Sequence, residues 1–222
     1  MKQIIILFLI IIITILTFGY TTIDETIQNQ FYNFDTHKWI LDRDLQPYKF
    51  IFYDGIKKLL ILIAISFLIS FFISRFQSYK KGILIVILSS ILIPIFIGFL
   101  KKETNMPCPK NRIEYGGIYP KTKVWENYPK NFQKPKIKCW PAGHASGGFA
   151  LMSLFFLFRK RKNKIIALSI GLSIGWIMGI YKMLIGDHFL SHTILTMEFA
   201  WLIILIVVKF VNIFYKGSLC KK

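Results

Sequence analysis

Acidic residues are scarce in this chain: eleven Asp and Glu stand against twenty-nine Lys and Arg, a net charge of +18 over 222 residues. Charge of either sign is thin, at 18% of residues where a soluble domain carries about 25%. Apolar residues fill the deficit at 54%, with 16% aromatic. Internal repeats and low-complexity tracts are absent, and there are only three cysteines and four histidines. A soluble nucleic-acid binder, the usual reading of so basic a composition, is excluded by how the apolar residues are placed. They gather in six runs almost free of charge: Ile4 to Phe18, Leu59 to Ile73, Gly82 to Leu100, Ala145 to Phe158, Ile165 to Tyr181 and Phe189 to Val208. At about 1.5 Å per residue, a spanning helix needs roughly 17–25 predominantly apolar residues. The prediction is an all-α polytopic membrane protein, a single membrane domain over residues 1–222 built as a bundle of six transmembrane helices. Ile4 to Phe18 also has the form of a signal-peptide core. The Gly19-Tyr20-Thr21-Thr22 boundary offers no small-x-small cleavage site, so the run is kept as the first span.

Six spans put both termini on one side. The segments there (Met1–Lys2, Arg75–Lys81, Arg159–Lys164 and Lys216–Lys222) hold twelve Lys and Arg and no acid. The other side holds residues 20–58, with five basic and six acidic residues, and residues 101–144, with ten basic and three acidic. Lys and Arg in short loops beside spans stay in the cytoplasm. The acid-free set is assigned there, which turns the two longer segments to the periplasm of a bacterial inner membrane. The cation excess of the 101–144 loop argues weakly for the reverse; the higher density of the acid-free set decides. Residues 20–58 are rich in Trp, Tyr and Phe, which favour the headgroup level, and are predicted as an outer interfacial segment of short helices lying on the membrane. Residues 101–144 form a long periplasmic loop whose prolines, from Pro107 to Pro141, forbid a long helix or a central strand. Gly171, Gly175 and Gly179 put small residues on one face of the fifth span. Close helix packing is a better reading of them than a channel lining, because no ring of ionisable residues accompanies them.

Ionisable residues at membrane level are the first candidates for function. Lys101 ends the third run, His144 opens the fourth, Lys182 ends the fifth, and Asp187, His188 and His192 open the sixth. Alternating spans bring these ends to one face. With no carboxylate pair among them, they suit an anionic, oxygen-rich ligand, phosphate above all. Lysines would neutralise it, and the helix N-termini at His144 and His188 add unpaired N–H groups. One histidine could attack phosphorus while the other protonates the departing oxygen. His188 and His192 also have the spacing of a two-histidine metal pair. No Glu follows the first and no third ligand is identifiable, so neither metal nor other cofactor is predicted. Glu198, about one and a half turns beyond His192, is read as paired inside the bundle. Cys108 and Cys139 share the outer loop, where oxidising conditions allow a disulfide, and Cys220 lies in the cytoplasmic tail. A Cys108–Cys139 staple is expected, with two free thiols as the alternative.

The stretch from Cys139 to Phe149, which contains Pro141-Ala142-Gly143-His144, and the stretch from Lys182 to His192 resemble the type-2 phosphatidic acid phosphatase superfamily of integral membrane lipid phosphatases. Its motifs are K-x6-R-P, P-S-G-H and S-R-x5-H-x3-D. They match Lys101-x6-Cys108-Pro109, Pro141-Ala142-Gly143-His144 and Tyr181-Lys182-x5-His188-x3-His192, so the resemblance covers the chain beyond residue 100. The departures are Cys108 for an Arg, Ala142 for a Ser, Lys182 for an Arg and His192 for an Asp. With Tyr115-Gly116-Gly117, the set resembles a bacterial variant subgroup.

By this resemblance His188 is the nucleophile and His144 the acid, and His192 stands where an aspartate orients the nucleophile. Lys101 and Lys182, with Gly143, bind the phosphate. Lysine does not restore the bidentate geometry of a guanidinium, and Arg112, Lys102 and Lys110 are candidates for the vacant cationic position. The resemblance implies hydrolysis of a phosphomonoester or diphosphate of an outer-leaflet lipid through a phosphohistidine. Lipid A, undecaprenyl diphosphate and phosphatidylglycerol phosphate all fit, and the expected partners are the bilayer and that lipid, not nucleic acid. A phosphotransferase would use the same residues, and a non-catalytic lipid-binding or transport protein could keep the same scaffold.

Overall fold

An uncharged run in hydrocarbon must satisfy every backbone group internally, which makes it a helix. Among the described residues of the computed structural model, five helical stretches are long and apolar enough to cross a membrane: Lys2–Tyr20, Phe50–Phe72, Ser74–Glu103, Arg161–Leu184 and Leu190–Tyr215. The structure describes residues 1–219, with side chains through 215; Cys220 lies outside the described residues. The long helices are α1 (Lys2–Tyr20), α3 (Ile56–Phe72), α4 (Lys80–Glu103), α6 (Arg161–Leu184) and α7 (Leu190–Leu219). Among the residues of α1 only Ile11 is buried, and none of α3 is, so both helices turn their apolar side chains outward as lipid-facing helices do. The chain is a multi-pass, nearly all-α membrane protein.

The expected span from Ala145 to Phe158 is not among the five long helices. It forms a short helix, α5 (Gly143–Ala150), continued as a 3-10 helix over Leu151–Phe156. Glycine explains why it is the central element of the bundle. A Cβ on Gly148 would lie 2.7 Å from Gly175 Cα, and one on Gly171 would collide with the Met152 main chain. The small-residue face of α6 is thus a packing face, against which α5 and its 3-10 continuation lie. The 3-10 rise of about 2.0 Å per residue lengthens the segment. Its far end reaches Gly82 at the start of α4, where a Cβ would lie 2.7 Å from Leu157 Cα. Phe149, Ile93, Ile97, Leu195 and Ile204 form the core around it.

Residues 20–58 fold as one short α-helix, a two-stranded hairpin and the opening turns of the next long helix. Helix α2 (Ile23–Asn29) and a small hairpin, β1 (Tyr32–Asn33) with β2 (Lys38–Trp39), fold over the turn between α6 and α7. Polar bonds hold them there. Gln28 Nε2 donates to the Met183 carbonyl at 2.9 Å, and the Leu41 N–H to that of Leu184 at 3.4 Å. Asp24 accepts bonds from the Ser191 N–H and hydroxyl at the start of α7. Burial pushes the Asp24 carboxyl up to about 6 against those bonds. Of the segment's aromatic residues, Tyr32 and Trp39 pack with Tyr115 and Phe189, while Phe34, Tyr48 and Phe50 stay exposed.

In the 101–144 loop, α4 carries the chain to Glu103, and Cys108 and Cys139 are disulfide-bonded with Cα atoms 5.3 Å apart. Glu198 accepts a bond from the Thr14 hydroxyl of α1 at 2.9 Å.

Candidate active site

The turn that ends α6 builds the centre of the site. Gly186, at φ 71, occupies the left-handed region that a glycine enters without strain. The reversal returns the Asp187 and His188 N–H groups to the Lys182 carbonyl, at 2.8 and 3.2 Å. The spacing Lys182-x5-His188 is therefore the geometry of a helix C-cap, which sets His188 beneath the lysine that precedes it. A Cβ on Gly186 would strike the Trp39 ring, so the hairpin closes over the same turn.

His188, His192 and His144 come together here. His188 Nδ1 lies 3.2 Å from His192 Nδ1, one turn on along α7, and the His188 and His144 ring centroids are 6.3 Å apart. His188 is 3% exposed and His192 fully buried. Burial above all, then the nearby His192, Lys101, His144 and Lys182, hold His188 well below the usual histidine range. Its imidazole is neutral at pH 7, as a nucleophile requires. His144 stands in the first turn of α5, with Nε2 3.1 Å from the Tyr53 hydroxyl. Gly143 leaves room for Lys101: a Cβ there would lie 3.3 Å from Lys101 Nζ.

Lys182 Nζ sits 2.9 Å from Asp187 Oδ2 and 4.3 Å above the Tyr53 ring. Asp187 is shared three ways, with Lys110 Nζ at 2.8 Å and Arg43 Nη2 at 2.9 Å. Burial works to raise its pKa, but Lys182 and Lys110 outweigh that and keep it below the usual carboxylate range. The site thus gathers Lys182, Lys110 and Arg43 around one carboxylate, with Lys101 beside Gly143.

Of the sequence candidates for the vacant cationic position, Lys110 is in the cluster and Lys102 is exposed to one side. Arg112 is engaged elsewhere: it is buried, paired with Glu25 at 2.9 Å and Glu114 at 2.7 Å, with the Phe189 ring 5.0 Å away. Sequence reasoning missed Arg43 and Tyr53, since neither carries a motif and both are brought in by long-range folding. Cys139 Sγ lies 3.6 Å from His188 Nδ1 and 3.0 Å from the Asp187 carbonyl. A disulfide sulfur carries no proton, so these are packing contacts. Cys139, His188 and His192 do have their donor atoms within 4.8 Å of one another. With Cys139 bonded to Cys108, that trio offers two imidazoles and no thiolate.

An apolar groove of about 330 Å³ leads to the site between α3, α4 and α5. Tyr53, Lys57 and His144 line one end, and Leu60, Ala64 and Leu151 are among its apolar walls. Gly147 forms part of the wall, where a Cβ would lie 3.1 Å from Leu60 Cδ1.

A family model described as the PAP2 superfamily matches residues 82–216, more than half of the chain and all three motif regions. No curated protein and no solved structure matches the chain.

Proposed function

The chain belongs to the PAP2 superfamily, whose members are phosphatases acting on phosphorylated substrates, and from that premise we propose that it hydrolyses a phosphomonoester or diphosphate of a membrane lipid. The observation that carries the lipid reading is the groove: a hydrocarbon-lined passage ends on His144, beside His188 and the lysines. An alkyl or isoprenoid chain in that groove would bring its phosphate to the histidines. Lipids with long apolar tails, such as lipid A precursors, undecaprenyl diphosphate or phosphatidylglycerol phosphate, are the candidate substrates. On this reading the site faces the periplasm of a bacterial inner membrane and serves the outer leaflet.

In the proposed reaction His188 Nδ1–H donates to His192 Nδ1, which leaves the lone pair of His188 Nε2 free. That nitrogen attacks phosphorus and the phosphorus–oxygen bond to the lipid breaks. Burial, then Lys182 and Lys101, hold the His144 pKa down to about 3. The negative charge of the bound phosphate raises it, so His144 enters the reaction as the imidazolium and gives that proton to the departing oxygen, in the position the Tyr53 hydroxyl now fills. Water, deprotonated by His144, then cleaves the phosphohistidine and releases inorganic phosphate. Lys101, Lys182 and the first-turn amides of α5 stabilise the equatorial oxygens through the transition state.

Purified protein in detergent–lipid micelles, offered a panel of lipid phosphates, is expected to release inorganic phosphate from at least one. Phosphate appearing on a second lipid instead would make the protein a transferase, and no turnover with any member would leave a non-catalytic lipid-binding protein. Gly147→Leu tests the groove separately. Its side chain would fill the passage, so kcat/KM should fall at least about tenfold for a long-chain lipid phosphate, the scale of burying or excluding a few methylenes. A short water-soluble phosphate ester should be turned over as by the wild type; equal loss on both would remove the groove from substrate binding.

A further inference from the structure

The chain has five arginines, and four of them have no access to the phosphate position. Arg159 donates to the Ser78 carbonyl at the opposite end of the bundle, where Arg75, in the 3-10 helix Ser74–Tyr79, and Arg161, opening α6, also lie. Arg112 is consumed by Glu25 and Glu114: Nη1 bonds the first, and Nε and Nη2 the second. The fifth, Arg43, lies outside the matched residues 82–216, in the outer segment that folds over the His188 turn. One of its nitrogens, Nη2, bonds both oxygens of Asp187, at 3.1 and 2.9 Å. Among the described residues its Nε and Nη1 have no hydrogen-bond partner, and its side chain is 53% exposed. The segment is stitched to the end of α6: the Tyr181 hydroxyl donates to the Arg43 carbonyl at 3.5 Å and the Leu41 N–H to that of Leu184.

We propose that Arg43 supplies the guanidinium of the phosphate clamp, a position that the motif region fills with Cys108 and Lys182. The inference rests on the lipid phosphatase reading. Its basis is charge and geometry. Arg43, Lys110 and Lys182 all meet one carboxylate, that of Asp187, the residue before His188, which leaves an excess of two positive charges around it. A phosphate group, at roughly −1.5 to −2 near pH 7, matches that excess. A guanidinium held through one nitrogen keeps the other edge of its fork open, and that edge is the one that grips two oxygens of a phosphate in parallel. Asp187 then holds the guanidinium at the turn that carries His188.

The experiment measures inhibition by orthovanadate, a phosphate mimic, together with kcat/KM on whichever lipid phosphate the wild type turns over. Arg43→Gln is expected to weaken orthovanadate roughly 10- to 100-fold and to lower kcat/KM by a similar factor, the scale of charge-assisted hydrogen bonds. Arg43→Lys keeps the ion pair with Asp187, and so the local fold, yet should recover only part of the loss because an ammonium has no fork. A variant that loses turnover but binds orthovanadate like the wild type would make Arg43 a support for the Asp187 turn and overturn the proposal, as would full retention of both properties. A wild type that neither binds orthovanadate nor releases phosphate would bring down the phosphatase reading itself, and this inference with it.

Discussion

His188→Ala is expected to abolish turnover, with kcat falling on the order of 10⁴-fold or more, the scale seen when a covalent nucleophile is removed. The size of the effect follows from the absence of a substitute. His192 lies behind His188 with its Nδ1 turned to that ring at 3.2 Å, and His144 stands across the site with its Nε2 at the Tyr53 hydroxyl. Water could still attack a phosphate held by the lysines, but it would lack a nucleophile fixed in line, which is where most of the advantage of a bound imidazole resides. The variant should still bind orthovanadate noncovalently through Lys101, Lys182 and Arg43, which shows that the site is intact. Steady-state phosphate release by the purified variant is the measurement, and retention of more than a few per cent of wild-type activity would sink the assignment.

The second large effect concerns His192. In the proposed reaction its Nδ1 accepts the His188 Nδ1 proton and so fixes the tautomer that attacks. His192→Ala removes that acceptor from a fully buried position. It should cost roughly 2–4 kcal/mol of transition-state stabilisation, about 30- to 1000-fold in kcat/KM, as removal of a preorganised catalytic hydrogen bond does. His192→Asp should retain or raise activity, because a carboxylate at this place both holds the tautomer and stabilises the imidazolium that forms during transfer. The pair of variants separates orientation from packing. If alanine is harmless, the contact between the two rings has no part in the chemistry.

The membrane character and the meeting of the motif residues in one site were legible in the sequence because both follow from one-dimensional rules. Uncharged runs fix where helices lie, and alternation fixes which ends meet. The turn at Gly186 adds why Lys182 and His188 stand six residues apart, since the spacing is that of a helix C-cap. What one dimension conceals is enclosure. The run from Ala145 to Phe158 has the composition of a span, yet it forms a short helix with a 3-10 continuation, lodged against α6 where Gly148 meets Gly175. The aromatic residues of 20–58 have the composition of a headgroup belt, yet Asp24, Gln28 and Trp39 find partners on the α6–α7 turn and draw the segment over the site. Arg112 was a reasonable candidate by proximity in sequence. Its partners Glu25 and Glu114 occupy its guanidinium, and Arg43, remote in sequence, meets Asp187 at the His188 turn, which is why the phosphate clamp is proposed for it.

The central claim is that phosphate passes through a covalent bond to His188. Purified protein is mixed with a lipid phosphate, quenched within the first turnover in alkali, where phosphohistidine survives, and digested for peptide mass spectrometry. The account predicts one added phosphoryl group on the peptide carrying His188, absent in His188→Ala and accumulating if His144→Ala slows the hydrolysis step. Turnover with no phosphorylated peptide at any quench time, or the phosphoryl group on His144 or His192 instead, would contradict it.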